Sequence, residues 1–109
     1  FHFAIEIVNL YKVLCDRKEF ILSKQLLRSG TSIGANVRES EHAQSKADFI
    51  HKLSIALKEA NETEYWLMLL HDSDFLEEKI FKSMLNDCQE LIKMLISIIK
   101  SSKENHKKQ

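Results

Sequence analysis

Five histidines, two cysteines and two glycines set limits on the chemistry open to this chain of 109 residues. A carboxylate and a histidine recur at helical spacing twice, as Glu39-x-x-His42 and Asp48-x-x-His51. Glu-x-x-His from two helices, with one further Glu from each of two others, is how helical bundles hold a di-metal centre. Here both pairs fall beside one inter-helix connection, and the other helices offer no inward glutamate, so ordinary surface charge is the better reading of them. His2, His71 and His106 are scattered and make no nucleophile–base–orienter set of the sort acyl transfer requires. Glu59, Glu62 and Glu64 read as a solvated helix face rather than an acid–base pair. The expectation is no enzymatic activity, no metal or cofactor and no small-molecule substrate.

Both glycines lie in "LRSGTSIGANVRES", residues 27–40. A phosphate-cradling loop needs G-x-x-x-x-G-K-[ST] after a strand. Gly30 and Gly34 are only four apart, no lysine follows, and no strand precedes. Read as helix, Ser29, Gly30, Ser32, Gly34 and Ala35 make a small-residue surface that lets another backbone come close. Glycine costs about 1 kcal/mol per helix position relative to alanine, so close approach or a kink must compensate. The sequence leaves open whether that approach is within one chain or between chains. Asn36 and Ser40 are expected to tie this helix to a neighbour, with Arg28 and Arg38 flanking the patch.

Formal net charge is zero, but it is segregated: +3 over residues 1–58, −7 over 59–90 and +4 over 91–109. Such a chain can meet copies of itself, or an anion, with one surface. Candidate phosphate contacts are Arg28, Arg38, Lys46, Lys52 and Lys58, with Lys100, Lys103, Lys107 and Lys108 in the tail. No helix-turn-helix, RNA-recognition or zinc-finger signature accompanies them, so a solvated basic face is the competing reading. At about 100° per residue, Ile55 and Trp66 share a face with Asp48, Lys52, Glu59 and Glu62. Trp is enriched at interfaces, which makes Ile55, Glu59, Glu62 and Trp66 a candidate oligomer interface; a broad core covering Trp66 is the alternative. Glu64 falls near the apolar stripe and is expected to pair with an arginine of the second helix.

The elements that position these residues are helices. There is no proline, and hydrophobic residues make up 44% of the chain. Apolar residues recur at helical spacing nearly throughout: Phe3, Ile7, Tyr11, Leu14 and Cys15 in a helix over about 1–15, and Leu22, Leu26, Gly30, Ile33 and Val37 over about 19–43. Phe49, Leu53, Ala56, Ala60 and Leu67 mark a third over about 46–71. Leu76, Ile80, Met84, Cys88, Leu91, Leu95 and Ile98 mark a fourth over about 75–103. Asp16 with Glu19, and Ser45 with Asp48, are expected N-terminal cap pairs. "HDSD" at 71–74 reads as a turn, and the tail from Lys100 is expected to fray. The fold class is all-α: an antiparallel up-down four-helix bundle in a single domain over 1–109. The variant to weigh is two helical hairpins that complete their core by oligomerising. Cys15 and Cys88 have no CxxC neighbour and are expected to be free thiols in a reducing compartment. No apolar run reaches the ~18 residues of a membrane span, and no leader pattern is evident, so a cytoplasmic protein without a membrane partner is expected.

The stretches "LRSGTSIGANVRE" at 27–39 and "KEANETEYWL" at 58–67 are the most distinctive. Through them the chain resembles, over nearly its whole length, the bacterial four-helix bundle proteins encoded within intervening sequences of 23S ribosomal RNA genes. The resemblance extends to the accessory variability proteins of diversity-generating retroelements. The resemblance implies a homopentameric ring with a central channel, no enzymatic activity, and RNA or DNA binding through basic surface. Carried over by position, it points to Arg28, Arg38 and the nearby lysines. The acidic 59–90 region of one subunit would meet the basic 1–58 surface of the next. The competing function is a protein-binding adaptor or scaffold with no affinity for nucleic acid.

Overall fold

A computed structural model describes residues 1–108, with side chains through Asn105. Four helices account for nearly all of it: α1 (His2–Asp16), α2 (Leu22–Ser40), α3 (Lys46–Asp72) and α4 (Glu78–Lys108). No strand occurs among the described residues. α4 continues beyond the expected end near 103, because "SSKENHKK" carries residues a helix tolerates and no glycine or proline to stop it. Lys107 and Lys108, expected as phosphate contacts, have side chains outside the described residues.

The helix ends have identifiable causes. α1 stops where Lys18 takes a left-handed φ of 63°; Lys18 N–H then donates to Cys15 O and Glu19 N–H to Leu14 O. α3 stops the same way at Asp74, φ 66°, with Asp74 N–H on His71 O and Phe75 N–H on Leu70 O. Both are the six-to-one, five-to-two closure usually made by glycine, here made by residues that give no sequence signal of it. The expected Asp16–Glu19 cap pair is therefore corrected. Asp16 is the last residue of α1, and Glu19 alone caps α2. Its carboxylate accepts from the backbone N–H of Ile21 (3.2 Å), Leu22 (2.9 Å) and Ser23 (2.7 Å). The Ser45–Asp48 pair does form: Asp48 N–H donates to Ser45 Oγ at 3.0 Å, and Asp48 Oδ2 accepts from Gln44 N–H at 3.2 Å.

α1 packs along α2, α2 along α3 and α3 along α4, whereas α1 and α4 meet little. The core runs down the middle through Ile7, Leu14, Leu26, Ile33, Ala56, Ala60, Leu67, Leu70, Cys88 and Leu95. Ala56 and Ala60 keep α3 slim, so its neighbours come near. Two stripe residues depart from expectation: Ile80 and Ile98 remain 39% and 38% exposed. Each lies about 80° from Cys88 around α4, on a flank that α3 does not reach and α1 scarcely covers. The small-residue surface of α2 splits in two. A Cβ on Gly30 would sit 2.8 Å from Ile7 Cγ1, so this glycine admits α1 within the chain. A Cβ on Gly34 would meet nothing within 4 Å.

Candidate nucleic-acid and assembly surface

The expected site residues separate into those committed within the chain and those that are not. Arg28 reaches from α2 to α3, donating through Nη1 to Glu59 Oε2 at 3.1 Å and through Nη2 to Glu62 Oε2 at 2.5 Å. The bond to Glu62 and the charge of both carboxylates hold the guanidinium pKa above its usual value, despite some desolvation. In return, the bond to Arg28 holds Glu62 below the usual carboxylate range. Lys52 pairs with Glu39 of α2 at 3.1 Å. Four candidates from the two expected surfaces, Arg28, Lys52, Glu59 and Glu62, thus form one set of α2–α3 ties.

Just inside this seam, Thr63 Oγ1 donates to Ser29 Oγ at 2.9 Å, both residues being fully buried. Ser29 is therefore the hydroxyl that binds α2 to a neighbour. The roles expected of Asn36 and Ser40 are corrected: Asn36 donates to Ser32 O and Ser40 to Val37 O, both in their own helix. The pairing expected for Glu64 is corrected too. Glu59 and Glu62 take the arginine, and Glu64 makes no ion pair among the described residues. Burial first, and then the charge of Glu64, push the Cys88 thiol up to about 12. Cys88 donates to Ala60 O at 3.3 Å, and both cysteines are free.

The other candidates stand apart. Arg38 and Lys58 are exposed and make no ion pair or side-chain hydrogen bond among the described residues. Lys46, at the start of α3, lies 5.9 Å over the Phe49 ring beside a groove of about 320 Å³ at the α2–α3 connection. Ile55 and Trp66 are half-buried, and Trp66 packs against the core while stacking edge-on with Tyr65 at 5.0 Å. Trp66 Nε1 is buried without a hydrogen-bond partner among the described residues.

Two residues with no expected role prove well connected. His71, in the last turn of α3, bridges Asp72 (3.0 Å) and Glu78 (2.5 Å) and stacks on Phe81 at 3.9 Å. The bond to Glu78, then that to Asp72, raises its pKa above 6.5. Arg17, just past α1, donates to the carbonyls of Phe75 and Asp74 and lies over the Phe75 ring. The spacing of His71 to Glu78, one heptad, was the only available signal. Of the metal-like pairs, Glu39 is held by Lys52 and Asp48 by Gln44, while His42 and His51 are exposed. No group of three ligating side chains that could hold a metal occurs among the described residues. No helix among them is long and apolar enough to cross a membrane.

Fold and surface together define an all-α, four-helix protein in which a few charged side chains tie helix to helix. The chain belongs to the 23S rRNA-intervening sequence protein family, whose model matches residues 1–97. It is similar to the crystal structure of a protein of unknown function from the S23 ribosomal protein family of Bacteroides thetaiotaomicron. The two are 63% identical, over 91% of this chain and 93% of that chain, with a TM-score of 0.90. No curated protein matches the chain.

Proposed function

We propose that this protein is a non-enzymatic, self-associating helical bundle that binds nucleic acid through basic surface on its assembled form, in the cytoplasm. The helices run up and down antiparallel as one domain. The pairs Ser29–Thr63, Arg28–Glu62 and Glu39–Lys52 support that course, since position along α3 falls as position along α2 rises. The assembly is a homopentameric ring, as the family resemblance implies.

One observation carries the nucleic-acid reading. Arg38 and Lys58 are exposed cations without an acidic partner among the described residues, whereas Arg28 and Lys52 already have theirs. Arg38, Lys58 and Lys46 are therefore the contacts, and Arg28 and Lys52 are structural. In a ring a few such cations per chain recur around the axis, which offsets the zero net charge of one chain. The test is binding of ribosomal RNA fragments across a salt series, with the assembled mass measured by light scattering. Phosphate contacts require affinity to fall steeply and linearly with the logarithm of salt. Arg38→Glu with Lys58→Glu should flatten that slope while leaving the helix content intact. A salt-independent affinity, or none at low salt, refutes the reading. The adaptor reading has its own support in exposed apolar side chains such as Tyr65, Met68 and Met94, and a salt-insensitive protein partner would favour it.

A further inference from the structure

The outer side of the α3–α4 pair, away from α1, carries a surface the proposed function does not use. Along α3, Leu57, Glu64, Met68 and Asp72 recur at helical spacing on that side, and along α4 Glu78, Leu85, Ile92, Ile96 and Lys103 do the same. Met68 and Ile96 are 47% and 49% exposed. Leu57, Ile96 and Ile99 floor a groove of about 410 Å³, with Lys100 and Lys103 on its rim.

The two ends of the face carry opposite charge. At one end Asp72 and Glu78 are brought together by His71, and the adjoining connection adds Asp74 and Glu77. His71 and Lys82 offset only part of this charge. At the other end stand Lys100 and Lys103, with Glu104 the sole acid in the groove lining. Between them Met68 and Ile96 are the exposed apolar side chains, with Asn61 and Gln89 exposed beside them and Glu64 half-buried. A patch that is acidic at one end and basic at the other, with exposed apolar side chains between, is complementary to itself when turned through 180°, which is the condition for an isologous contact.

We propose that this face binds the same face of a second copy of this chain, antiparallel about a two-fold axis, each Lys100–Lys103 end lying on the other's Asp72–Glu78 end. Ile96 and Met68 close the centre. The contact is separate from the heterologous interfaces of a ring: it joins two chains, or two rings, and so makes the assembled mass an even multiple.

Sedimentation of the protein at low salt, from roughly 1 μM to 1 mM, spans weak to moderate contacts. The expected result is a mass that rises to an even number of chains. Ile96→Glu, at a half-exposed position, should halve it with helix content and Tm unchanged. Lys100→Glu with Lys103→Glu should weaken the contact about tenfold or more. Adding Asp72→Lys and Glu77→Lys to that same chain should restore it, because the reversed ends again match. A wild-type mass that stays odd-numbered, one chain or five, overturns this contact; five leaves the ring reading standing, while one overturns both. An even mass that Ile96→Glu does not change also overturns the contact. So does loss of RNA binding in Ile96→Glu at constant mass, which would give the face to nucleic acid.

Discussion

The two glycines of α2 make opposite predictions, and the contrast tests why α2 carries them. An alanine methyl at position 30 would lie 2.8, 2.9 and 3.0 Å from three side-chain carbons of Ile7. Favourable carbon contacts lie at about 3.5–4.0 Å. Ile7 is fully buried, so it must leave its rotamer or α1 must move away. Overpacking of this degree costs about 1–3 kcal/mol, against about 1 kcal/mol gained in helix propensity. Gly30→Ala is therefore expected to destabilise by about 1 kcal/mol, lowering Tm by about 4 °C for a domain of this size. Gly34→Ala meets no atom within 4 Å and should gain most of the propensity term, raising Tm by about 3–4 °C. Ile7→Ala alone should cost about 2–5 kcal/mol. In the Gly30→Ala background it should cost at least about 1 kcal/mol less, since the new methyl occupies vacated space. Thermal and urea unfolding followed by circular dichroism measure all four variants. If Gly30→Ala stabilises as much as Gly34→Ala, close approach of α1 is not the reason for Gly30. If Gly34→Ala leaves the unfolding free energy of dilute protein unchanged or higher but lowers the assembled mass, Gly34 serves a contact between chains.

Three further outcomes follow from the caps and buried polar groups. Glu19→Ala strips the acceptor from three backbone N–H groups at the start of α2 and should cost about 1–2 kcal/mol in urea unfolding. Burial opposes ionisation of Glu19, but those bonds outweigh it and hold its pKa below 4.5; its contribution is full above pH 4.5 and fades as pH falls through the lower folded value, so an acid titration should be shallower in the variant. His71 has the opposite sign: with its folded pKa above 6.5, its contribution is complete below pH 6.5 and fades as pH rises through the folded value. His71→Gln should abolish that part of the Tm-versus-pH curve, and a histidine proton titrating at or below 6.5 in the folded protein would refute the bridge. Thr63→Val removes the donor to Ser29 while preserving shape and should cost about 1 kcal/mol; no change in the urea midpoint would mean that the hydroxyl pair contributes nothing net.

How far the molecule is legible from its residues depends on the range over which each feature is determined. Helix periodicity is local, and the four stripes locate the helices and most of the core. The Ser45–Asp48 cap is equally local and forms as read. The ends of α1 and α3 are local too, yet hidden, because Lys18 and Asp74 adopt a left-handed conformation that only glycine or asparagine normally advertises. That is why Asp16 looked like a cap when it ends a helix. The charged seam depends on register between helices. Arg28 is 31 residues from Glu59 and 34 from Glu62, and turning α3 by a fraction of a turn would have delivered Glu64 instead, as the stripe suggested. The same indeterminacy explains Ile80 and Ile98: a stripe shows which residues can face a neighbour, not how much of it the neighbour covers. In a chain with as many acids as bases, register decides which cations remain available to a partner. Arg28 and Arg38 look alike in the sequence, flanking one small-residue patch. They are ten residues apart, hence about 80° apart around α2, and only Arg28 reaches the acids of α3. Arg38 is thereby left without an acidic partner among the described residues, and that difference is a property of packing rather than of composition.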